Sequence, residues 1–375
     1  MPAASKNNPA ILIAAISGRS LAAAARRAGY RPLVADLFGD CDTVALADRT
    51  VRLSGSIRDG IDGKKIGGIL ANLARGEEPV ALVYGSGFER RPDVLDALAG
   101  TFPIAGNSAA TIRTVKDPAT LAGLCKELDI PHPEIRFSAP ERPEDWLVKL
   151  GGGAGGSHVR PAATAPLEDG HYYQKRVAGR SVSALFLARD GAARIIGFSR
   201  QWSSPSPASP FRYGGAVRLM RFDRGKKEQI GRWLDGLVLR TGLVGLCSAD
   251  FIDGPEGPHL IEINPRPGAT LDIFDSDTAP LLNEHLRAVR GERIVVPTYR
   301  GATASAIAYT PRPISRFPEI EWPSLTADHQ SPGSTLDAGD PVCTVLAQAR
   351  SASAAERAVK RRIAEVAEHW REGFQ

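Results

Sequence analysis

The chain has 375 residues, of which 43% are hydrophobic and 24% charged, a balance typical of a folded globular protein and not of a disordered or fibrous one. At roughly 150 residues per domain, this length predicts two to three domains. The net charge of +5 is spread along the chain without a long block of like charge, which favours anionic small ligands and argues against nucleic acid as a partner.

The cysteines and the apolar runs bear on the cellular location of the protein. Cys41, Cys125, Cys247 and Cys343 lie far apart and form no CxxC pair, so we expect reduced, buried thiols with neither a disulfide framework nor a thiolate metal site. The longest early apolar run, residues 10–16, is too short to span a bilayer and lacks the flanks of a signal peptide. We therefore predict a cytoplasmic protein with no membrane partner.

The first unit, residues 1–113, alternates short apolar runs with helical stretches. The pattern predicts strands at residues 10–15, 32–35 and 80–84 and helices at residues 20–28 and 92–99, followed by a helix capped by Asn107 or Ser108. This alternation is typical of a Rossmann-like α/β domain. No GxGxxG follows the first strand, so we expect the unit to position a substrate and not to bind a dinucleotide.

The middle of the chain is predicted to be antiparallel sheet with helices. The predicted strands are residues 146–150, 171–177, 183–188 and 193–202, and the predicted helices are residues 119–128 and 226–243. A Ser/Pro-rich stretch at residues 203–210 is typical of a loop or lid. After residue 297 we predict strands at residues 302–309 and 342–347 and a helix from about residue 354 to 370, with a capping box formed by Ser353 and Glu356.

A hairpin in this middle region carries two acids. The turn-forming residues 254–258 predict a five-residue loop between strands 244–253 and 259–264, and in that register Asp250 lies opposite Glu262. Strand alternation places Asn264 on the same face. Facing carboxylates with an amide suit Mg²⁺, which completes its coordination with waters and phosphate oxygens. The alternative is a pair of surface acids on a solvated hairpin.

A glycine-rich loop follows the predicted strand that ends near Lys149. Glycines at positions 151, 152, 153, 155 and 156 let the backbone approach a ligand and present N–H groups to phosphate oxygens, while Lys149 supplies a positive charge. No Gly-Lys-Ser or Gly-Lys-Thr follows, so this is not a P-loop. The alternative is a flexible connection between two strands.

These motifs in this order, from about Lys116 to Arg266, resemble the ATP-grasp superfamily. The resemblance implies an ATP-grasp domain at residues 114–296, with a small lobe at about 114–180 and a large lobe at about 181–296. It further implies a Rossmann-like domain before it and a small C-terminal subdomain at residues 297–375, which resembles the closing element of carboxylase-type members. The expected fold class is therefore α/β (α+β).

The resemblance also implies ligands for particular residues. ATP would be held by Lys149 and the loop glycines at the phosphates, and by Gln174 and the main chain of Lys175 and Val177 at adenine. Mg²⁺, or Mn²⁺ in its place, would be held by Asp250, Glu262 and Asn264. Arg266 would act in catalysis by contacting the transferring phosphoryl group or the substrate carboxylate. Lys149 would also act in catalysis, from its position at the α- and β-phosphates.

Two departures from the family pattern bear on the nucleotide. Ser181 stands where an acidic ribose ligand is common, and a glutamine, Gln174, stands where a glutamate is usual. The second phosphate lysine usually follows an aspartate, whereas here Lys116 precedes Asp117. We assign Ser181 to the ribose and Lys116 to the phosphates on the resemblance alone.

The implied reaction is an ATP-dependent ligation. Members typically activate a carboxylate as an acyl phosphate, which an amine attacks to give an amide with release of ADP and phosphate, so the partners are small-molecule carboxylates and amines. Motifs such as GSGFE, FRYGG and NPRPGATLD also resemble proteins linked to pterin or furan one-carbon carriers. Candidate substrate residues are Ser86, Glu89, Arg212 and Tyr213, although Glu89 also fits a helix N-terminal charge and Arg212 a solvated loop residue.

Two other hypotheses remain at this stage. The same fold supports carboxylation through carboxyphosphate or phosphotransfer, and the replaced adenine and ribose acids favour a non-catalytic nucleotide-binding protein. A serine hydrolase is not indicated, because no GxSxG motif occurs. A homodimer is compatible with the sequence, which does not determine the oligomeric state.

Overall fold

The computed structural model describes residues 7–57, 59–164 and 167–374, so the first six residues of the predicted N-terminal unit lie outside the described part. The helices are α1 Arg19–Arg27, α2 Cys41–Leu46, α3 Ile66–Leu73, α4 Asp93–Ala99, α5 Ala109–Lys116, α6 Pro118–Glu127, α7 Arg224–Thr241, α8 Leu271–Phe274, α9 Leu281–Val289 and α10 Ala352–Ala367, with 3₁₀ turns at Pro143–Asp145 and Glu368–Phe374.

The strands form four sheets. They are β1 Ala10–Ala15, β2 Arg31–Asp36, β3 Arg49–Arg52, β4 Gly55–Ser56, β5 Gly60–Ile61, β6 Leu82–Tyr84, β7 Ile135–Arg136, β8 Trp146–Leu150, β9 Arg160–Pro161, β10 His171–Lys175, β11 Arg180–Arg189, β12 Ala192–Ser203, β13 Tyr213–Arg218, β14 Gly245–Gly254, β15 Gly257–Asn264, β16 Ala302–Tyr309, β17 Thr326–Ala327 and β18 Pro341–Ala349.

The N-terminal unit is a parallel sheet with the strand order β3-β2-β1-β6. All six residues of β1 are buried, and consecutive ones belong to different clusters: Leu12 packs with residues of α3 and α4, Ile13 with residues of α1 and α9. Because both faces are covered, the strand has to be apolar throughout. The predicted Rossmann-like arrangement of strands and helices is confirmed.

The largest sheet has eight strands in the order β15-β14-β11-β12-β13-β16-β18-β17, and all of its pairings are antiparallel. Helix α7 covers it with an apolar stripe that was predicted from the spacing, consisting of Ile230, Trp233, Leu234, Leu237 and Val238. Strand β16 pairs with β13, so the residues after 297 continue this sheet. A separate small sheet, β7-β10-β8-β9, carries the glycine-rich loop after β8.

Several local predictions are wrong. The hairpin loop is shorter than five residues, because Gly254 and Gly257 still pair across the strands. Helix α10 is capped by Ser351, which accepts a hydrogen bond from the amide of Ala354, and not by Ser353. Cys41 is exposed, whereas the other three thiols are buried as predicted.

Residues 37–79 hold elements that the sequence analysis did not propose. Helices α2 and α3 and strands β3, β4 and β5 lie there. Most of these elements are shorter than seven residues, so their hydrophobic periodicity was too brief to show in the sequence. Across the described ranges, every helix is too short or too polar to cross a membrane.

Candidate functional site: a cavity between three parts of the chain

A cavity of about 830 Å³ lies where the N-terminal sheet, the small sheet and the eight-stranded sheet meet. Ser17, Asp40 and Ser86 line it from the loops after β1, β2 and β6. These are the carboxyl ends of parallel strands, where open α/β sheets place ligands. The remaining wall comes from the glycine-rich loop, the β14–β15 hairpin and the C-terminal segment.

The two acids of the hairpin face each other as predicted. Asp250 pairs with Glu262 across β14 and β15. The side-chain nitrogen Nδ2 of Asn264 lies 3.0 Å from Oδ2 of Asp250 and 3.4 Å from Oε1 of Glu262, so it donates to both carboxylates. The ammonium of Lys116 lies 2.9 Å from Oδ1 of Asn264 and 3.6 Å from Glu262. Polar hydrogens and one ammonium therefore offset the repulsion between the acids.

The electrostatics of the two acids differ. Burial and the neighbouring Glu262 raise the pKa of Asp250 to about 7. Burial alone would also raise the pKa of Glu262, but the charges of Lys116 and Lys149 outweigh it and lower that pKa. Glu262 is therefore the permanently charged member of the pair, and Asp250 takes up a proton most readily when no further cation is present.

The donor set fits a magnesium ion. Within the described part of the chain, Oδ1 of Asp250 is buried and has no hydrogen-bond partner, so one carboxylate oxygen is left for a ligand. Among the described residues no group of three or more histidine, cysteine or acidic side chains is placed to hold a metal. The two carboxylates would therefore have to be completed by waters or by a bound phosphate, as is usual for Mg²⁺, and Asn264 would join them only with its amide turned so that Oδ1 and not Nδ2 faces the acids.

Lys149 and Gln174 line the large cavity together with the two acids. Both are buried, and the Lys149 ammonium donates to Oε1 of Gln174 at 3.2 Å. Burial by itself would lower the pKa of Lys149, but Tyr172 and Glu262 raise it, and the net shift is upward. Lys149 therefore presents a stable positive charge to the cavity, while Nε2 of Gln174 is buried and finds no partner among residues 7–57, 59–164 and 167–374.

The glycine-rich loop lies against two other loops. A Cβ added to Gly152 would lie 2.8 Å from the carbonyl oxygen of Glu89, and one added to Gly156 would lie 2.1 Å from that of Phe211. The carbonyl of Gly155 accepts a hydrogen bond of 2.8 Å from the amide of Tyr213. Side chains at these glycines would force the loops apart, so the glycines are needed for close packing as well as for ligand access.

The glycines of this loop line different cavities. A small cavity of about 20 Å³ is lined by Gly152, Gly153, Lys116 and Lys149, among others, whereas Gly151 lines neither cavity. Gly155 and Gly156 line the large cavity. Gly155 and Gly156 are therefore the glycines of this loop that can reach a ligand in the large cavity.

Arg266 joins the hairpin to the N-terminal unit. Its Nε donates to Oε1 of Glu89 at 2.7 Å, and the other carboxylate oxygen of Glu89 accepts from the amide of Gly87 at 2.7 Å. Both side chains are at least 90% buried. Glu89 does not line the large cavity, whereas Arg266 does, so Glu89 holds Arg266 in place and makes no visible contact with the cavity itself.

The other predicted site residues line the large cavity. Arg212 stacks on the ring of Tyr309 at 3.5 Å and donates to the carbonyls of Ser204 and Gly339. It is therefore fixed between the Ser/Pro-rich loop and the C-terminal segment and is not a freely solvated residue. The cavity wall also includes Ser86, Tyr213, Lys175, Val177 and Ser181.

Part of the cavity wall was not predicted from the sequence. Ser17 and Asp40 follow strands in the same way as Ser86, so the rule that gave Ser86 would also have found them. Asp328 has no such signal in the sequence. It lines the cavity and accepts two hydrogen bonds from Arg19, which also binds Asp272 and so joins all three parts of the chain.

A parallel α/β unit followed by a small sheet and a large antiparallel sheet, with a cleft between them, defines the class of protein. Residues 118–270 match the family model of the ATP-grasp domain. The chain thus contains an ATP-grasp domain, and the assignment made from its motifs is confirmed. No curated protein sequence matches the chain.

Solved structures resemble the whole described chain. The biotin carboxylase domain of 2-oxoglutarate carboxylase from Hydrogenobacter thermophilus, in complex with MgADP and bicarbonate, has a TM-score of 0.70 at 13% identity, covering 96% of this chain and 90% of that one. An L-amino acid ligase from Bacillus licheniformis has a TM-score of 0.68 at 12% identity, covering 96% and 98%. A biotin carboxylase from Campylobacter jejuni has a TM-score of 0.67 at 12% identity, covering 96% and 91%. At these identities the similarity shows a common fold.

Proposed function

We propose that the chain is an ATP- and Mg²⁺-dependent carbon–nitrogen ligase. It would activate a carboxylate as an acyl phosphate, which an amine attacks to form an amide, with release of ADP and phosphate. The observation that carries this proposal is the opposition of Asp250 and Glu262 across from the buried ammonium of Lys149, at the wall of one large cavity. Acidic metal ligands and a fixed cation are what phosphoryl transfer requires.

Each residue of the site would have a defined part in this chemistry. Asp250, Glu262 and Asn264 would hold Mg²⁺, which when bound neutralises phosphate charge. Lys149 would attract the phosphates, and Gly155 and Gly156 would bring backbone amides close to them. No side chain has to act as a nucleophile, because the substrate carboxylate attacks the terminal phosphorus directly.

The other residues would orient the substrates. Arg266, fixed by Glu89, would contact the transferring phosphoryl group or the substrate carboxylate and stabilise the charge that develops there. Lys116 lies beside the acids in this structure, and we propose that it reaches a phosphate once a cation takes over their charge. Adenine would be bound by Gln174 and the main chain of Lys175 and Val177, and the ribose by Ser181.

The carboxylate and the amine would bind at the end of the cavity formed by Ser86, Arg212 and Tyr213. The volume of about 830 Å³ is near the upper end for small-molecule sites, so the cavity is large enough to hold a substrate beside a nucleotide. Intermediates of pterin or furan one-carbon carriers are the first compounds to test, because of the motifs named above. Cytoplasmic location and a homodimer stay predictions.

Carboxylation through carboxyphosphate is the second candidate. It is supported by the similarity to biotin carboxylase structures over 96% of the chain, although the L-amino acid ligase structure covers the same share. The two functions differ in their products. Bicarbonate-dependent release of ADP without an amide product supports carboxylation, whereas one amide formed per ADP supports ligation.

The test of the proposed site is ADP release from Mg·ATP, screened over pairs of carboxylates and amines, with wild type and Glu262→Gln. By analogy with removal of a single oxyanion-hole donor, we expect Glu262→Gln to lower the rate at least about 100- to 1,000-fold. Glu256→Gln, on the exposed turn of the same hairpin, is the matched control and should keep the wild-type rate. Unchanged turnover in Glu262→Gln would refute the metal assignment, and no stimulation by any pair would favour a non-catalytic nucleotide-binding protein.

A further inference from the structure

A row of polar side chains crosses the eight-stranded sheet and ends at the proposed metal site. Its members are paired directly across neighbouring strands: Asp250 of β14 with Ser183 of β11, Ser183 with Ser199 of β12, and Ser199 with Arg218 of β13. Directly paired residues of a sheet point to the same face, with Cβ atoms about 4.5–5.5 Å apart. These four side chains therefore lie side by side and form one polar row.

Each member of the polar row carries a buried atom that lacks a hydrogen-bond partner. Across residues 7–57, 59–164 and 167–374, seven buried side-chain atoms are unpaired, and four of them belong to this row: Oδ1 of Asp250, Oγ of Ser183, Oγ of Ser199 and Nε of Arg218. Both serines are 1% exposed. A single unpaired group is already an exception in a folded protein, so four in register indicate a shared partner between them.

Ordered water is the partner that fits these four atoms. A buried water makes two to four hydrogen bonds and bridges polar groups that do not pair directly. A bound cation would face the guanidinium of Arg218, and a bound anion would face the carboxylate of Asp250, so a neutral partner is favoured. The guanidinium only donates, an ionised carboxylate only accepts, and a hydroxyl does both. Hydrogen bonds along the row can therefore start at Arg218 and end at Asp250, and not the reverse.

Both ends of the polar row are held by other contacts. The terminal nitrogens of Arg218 donate to the carbonyls of Ile273 and Gly301, so the guanidinium is fixed in place. At the other end, Oδ2 of Asp250 accepts from Asn264, whereas Oδ1 is the oxygen that faces the row unpaired. A hydrogen bond to Oδ1 would thus be the second contact that fixes the plane of this carboxylate.

We propose that the polar row is a hydrogen-bonded chain, completed by buried waters, which positions the Asp250 carboxylate for a divalent cation. Ser183 and Ser199 are its positioning residues, because neither lines the large cavity. Oδ1 can accept from the row and still bind the cation, since an ionised carboxylate has about four lone-pair sites. The inference rests on the metal site of the proposed function and extends it to two residues of β11 and β12.

The test measures binding of Mn²⁺, as the only added metal, to the full chain by electron paramagnetic resonance of free Mn²⁺. Loss of a group that orients a metal ligand lowers metal affinity about 10- to 100-fold, and we expect this loss in Ser183→Ala. Ser199→Ala should also bind more weakly than wild type. The double variant should bind no more weakly than Ser183→Ala, because the row is already interrupted there. Ser353→Ala, at an exposed serine of α10, is the matched control and should keep the wild-type affinity.

Urea-induced unfolding of the same variants gives a second readout. Removing a hydroxyl that is hydrogen-bonded in the row should lower the free energy of unfolding, whereas removing an unpaired buried hydroxyl would raise it. A Ser183→Ala variant that is more stable than wild type therefore overturns the inference. If Ser183→Ala does not fold, Ser199→Ala is judged by the same two measurements.

The outcomes separate the inference from the proposed function. Wild-type Mn²⁺ affinity in folded Ser183→Ala, or additive losses in the double variant, overturns the row and leaves the metal site standing. Failure of wild type to bind Mn²⁺ refutes the metal site and the inference together.

Discussion

The ion pair between Glu89 and Arg266 gives the most direct test of how the site is assembled. Replacing Glu89 by glutamine keeps the shape of the side chain and an acceptor for the Gly87 amide, but it removes the charge that faces Arg266. The Arg266 side chain is 10% exposed, so its guanidinium would be left largely without compensation. Breaking a buried pair on one side costs about 3–5 kcal/mol, and the retained hydrogen bond places the expected loss at about 3 kcal/mol.

The assay is urea-induced unfolding at pH 7, with the free energy of unfolding obtained by linear extrapolation. Asp93→Asn is the control, since Asp93 pairs with Arg91 at 2.9 Å but both side chains are more than half exposed. Such a surface pair contributes about 0–1 kcal/mol. A loss below about 1 kcal/mol in Glu89→Gln would show that the buried pair does not hold the two units together.

The pH dependence provides a second check on the same variant. Burial would raise the pKa of Glu89, but Arg266 and Lys116 outweigh it, and the pKa in the folded protein lies below its usual value. Stability from a carboxylate with a lowered pKa is complete above the unfolded-state pKa and is lost as the pH falls through the folded-state pKa. The difference between wild type and Glu89→Gln should therefore shrink below about pH 4.5, and a difference that grows in acid would contradict the assignment.

Two further predictions concern the loop and the core. Gly156→Ala should destabilise the protein by about 1–3 kcal/mol more than Gly155→Ala in thermal unfolding. Both glycines have positive φ, but an added Cβ meets the Phe211 carbonyl only at position 156; equal losses would show that this contact relaxes. His285 accepts from the Leu246 amide and is buried, which lowers its pKa to about 4. Since the unfolded chain binds this proton first, the stability of wild type relative to His285→Gln should fall by about 1.4 kcal/mol per pH unit between pH 6.5 and 4, and a difference that does not change with pH would refute this.

The motifs determined the centre of the site. The sequence placed both acids on one hairpin and predicted that Asp250 lies opposite Glu262, but the turn is shorter than predicted, and the pairing forms because a bulge between Asp250 and Phe251 shifts the register by one residue. The pairing was predictable to within one residue because both acids lie within one hairpin, and the bulge that completes it has no signal in the sequence. In the same way, Lys149 and the glycines after it are neighbours in sequence, and their proximity needs no tertiary contact.

The larger fold could be predicted less completely. The long strands and helices followed from periodicity, and the ATP-grasp domain followed from the order of the motifs. The elements between residues 37 and 79 were missed, because they are too short to show a clear periodicity. The cap of α10 was misplaced, because Ser351 and Ser353 are both serines near the start of the helix.

The amino-acid sequence by itself determined which chemical groups are present and which local strands and turns carry them. The tertiary structure decided their partners: Glu89 binds Arg266 across 177 positions, Lys116 binds Asn264 across 148, and Arg19 reaches Asp328 across 309. Contacts over such separations depend on how three packed units meet around the cavity. No local periodicity records that arrangement, because it depends on burial of apolar faces between units that are distant in the sequence.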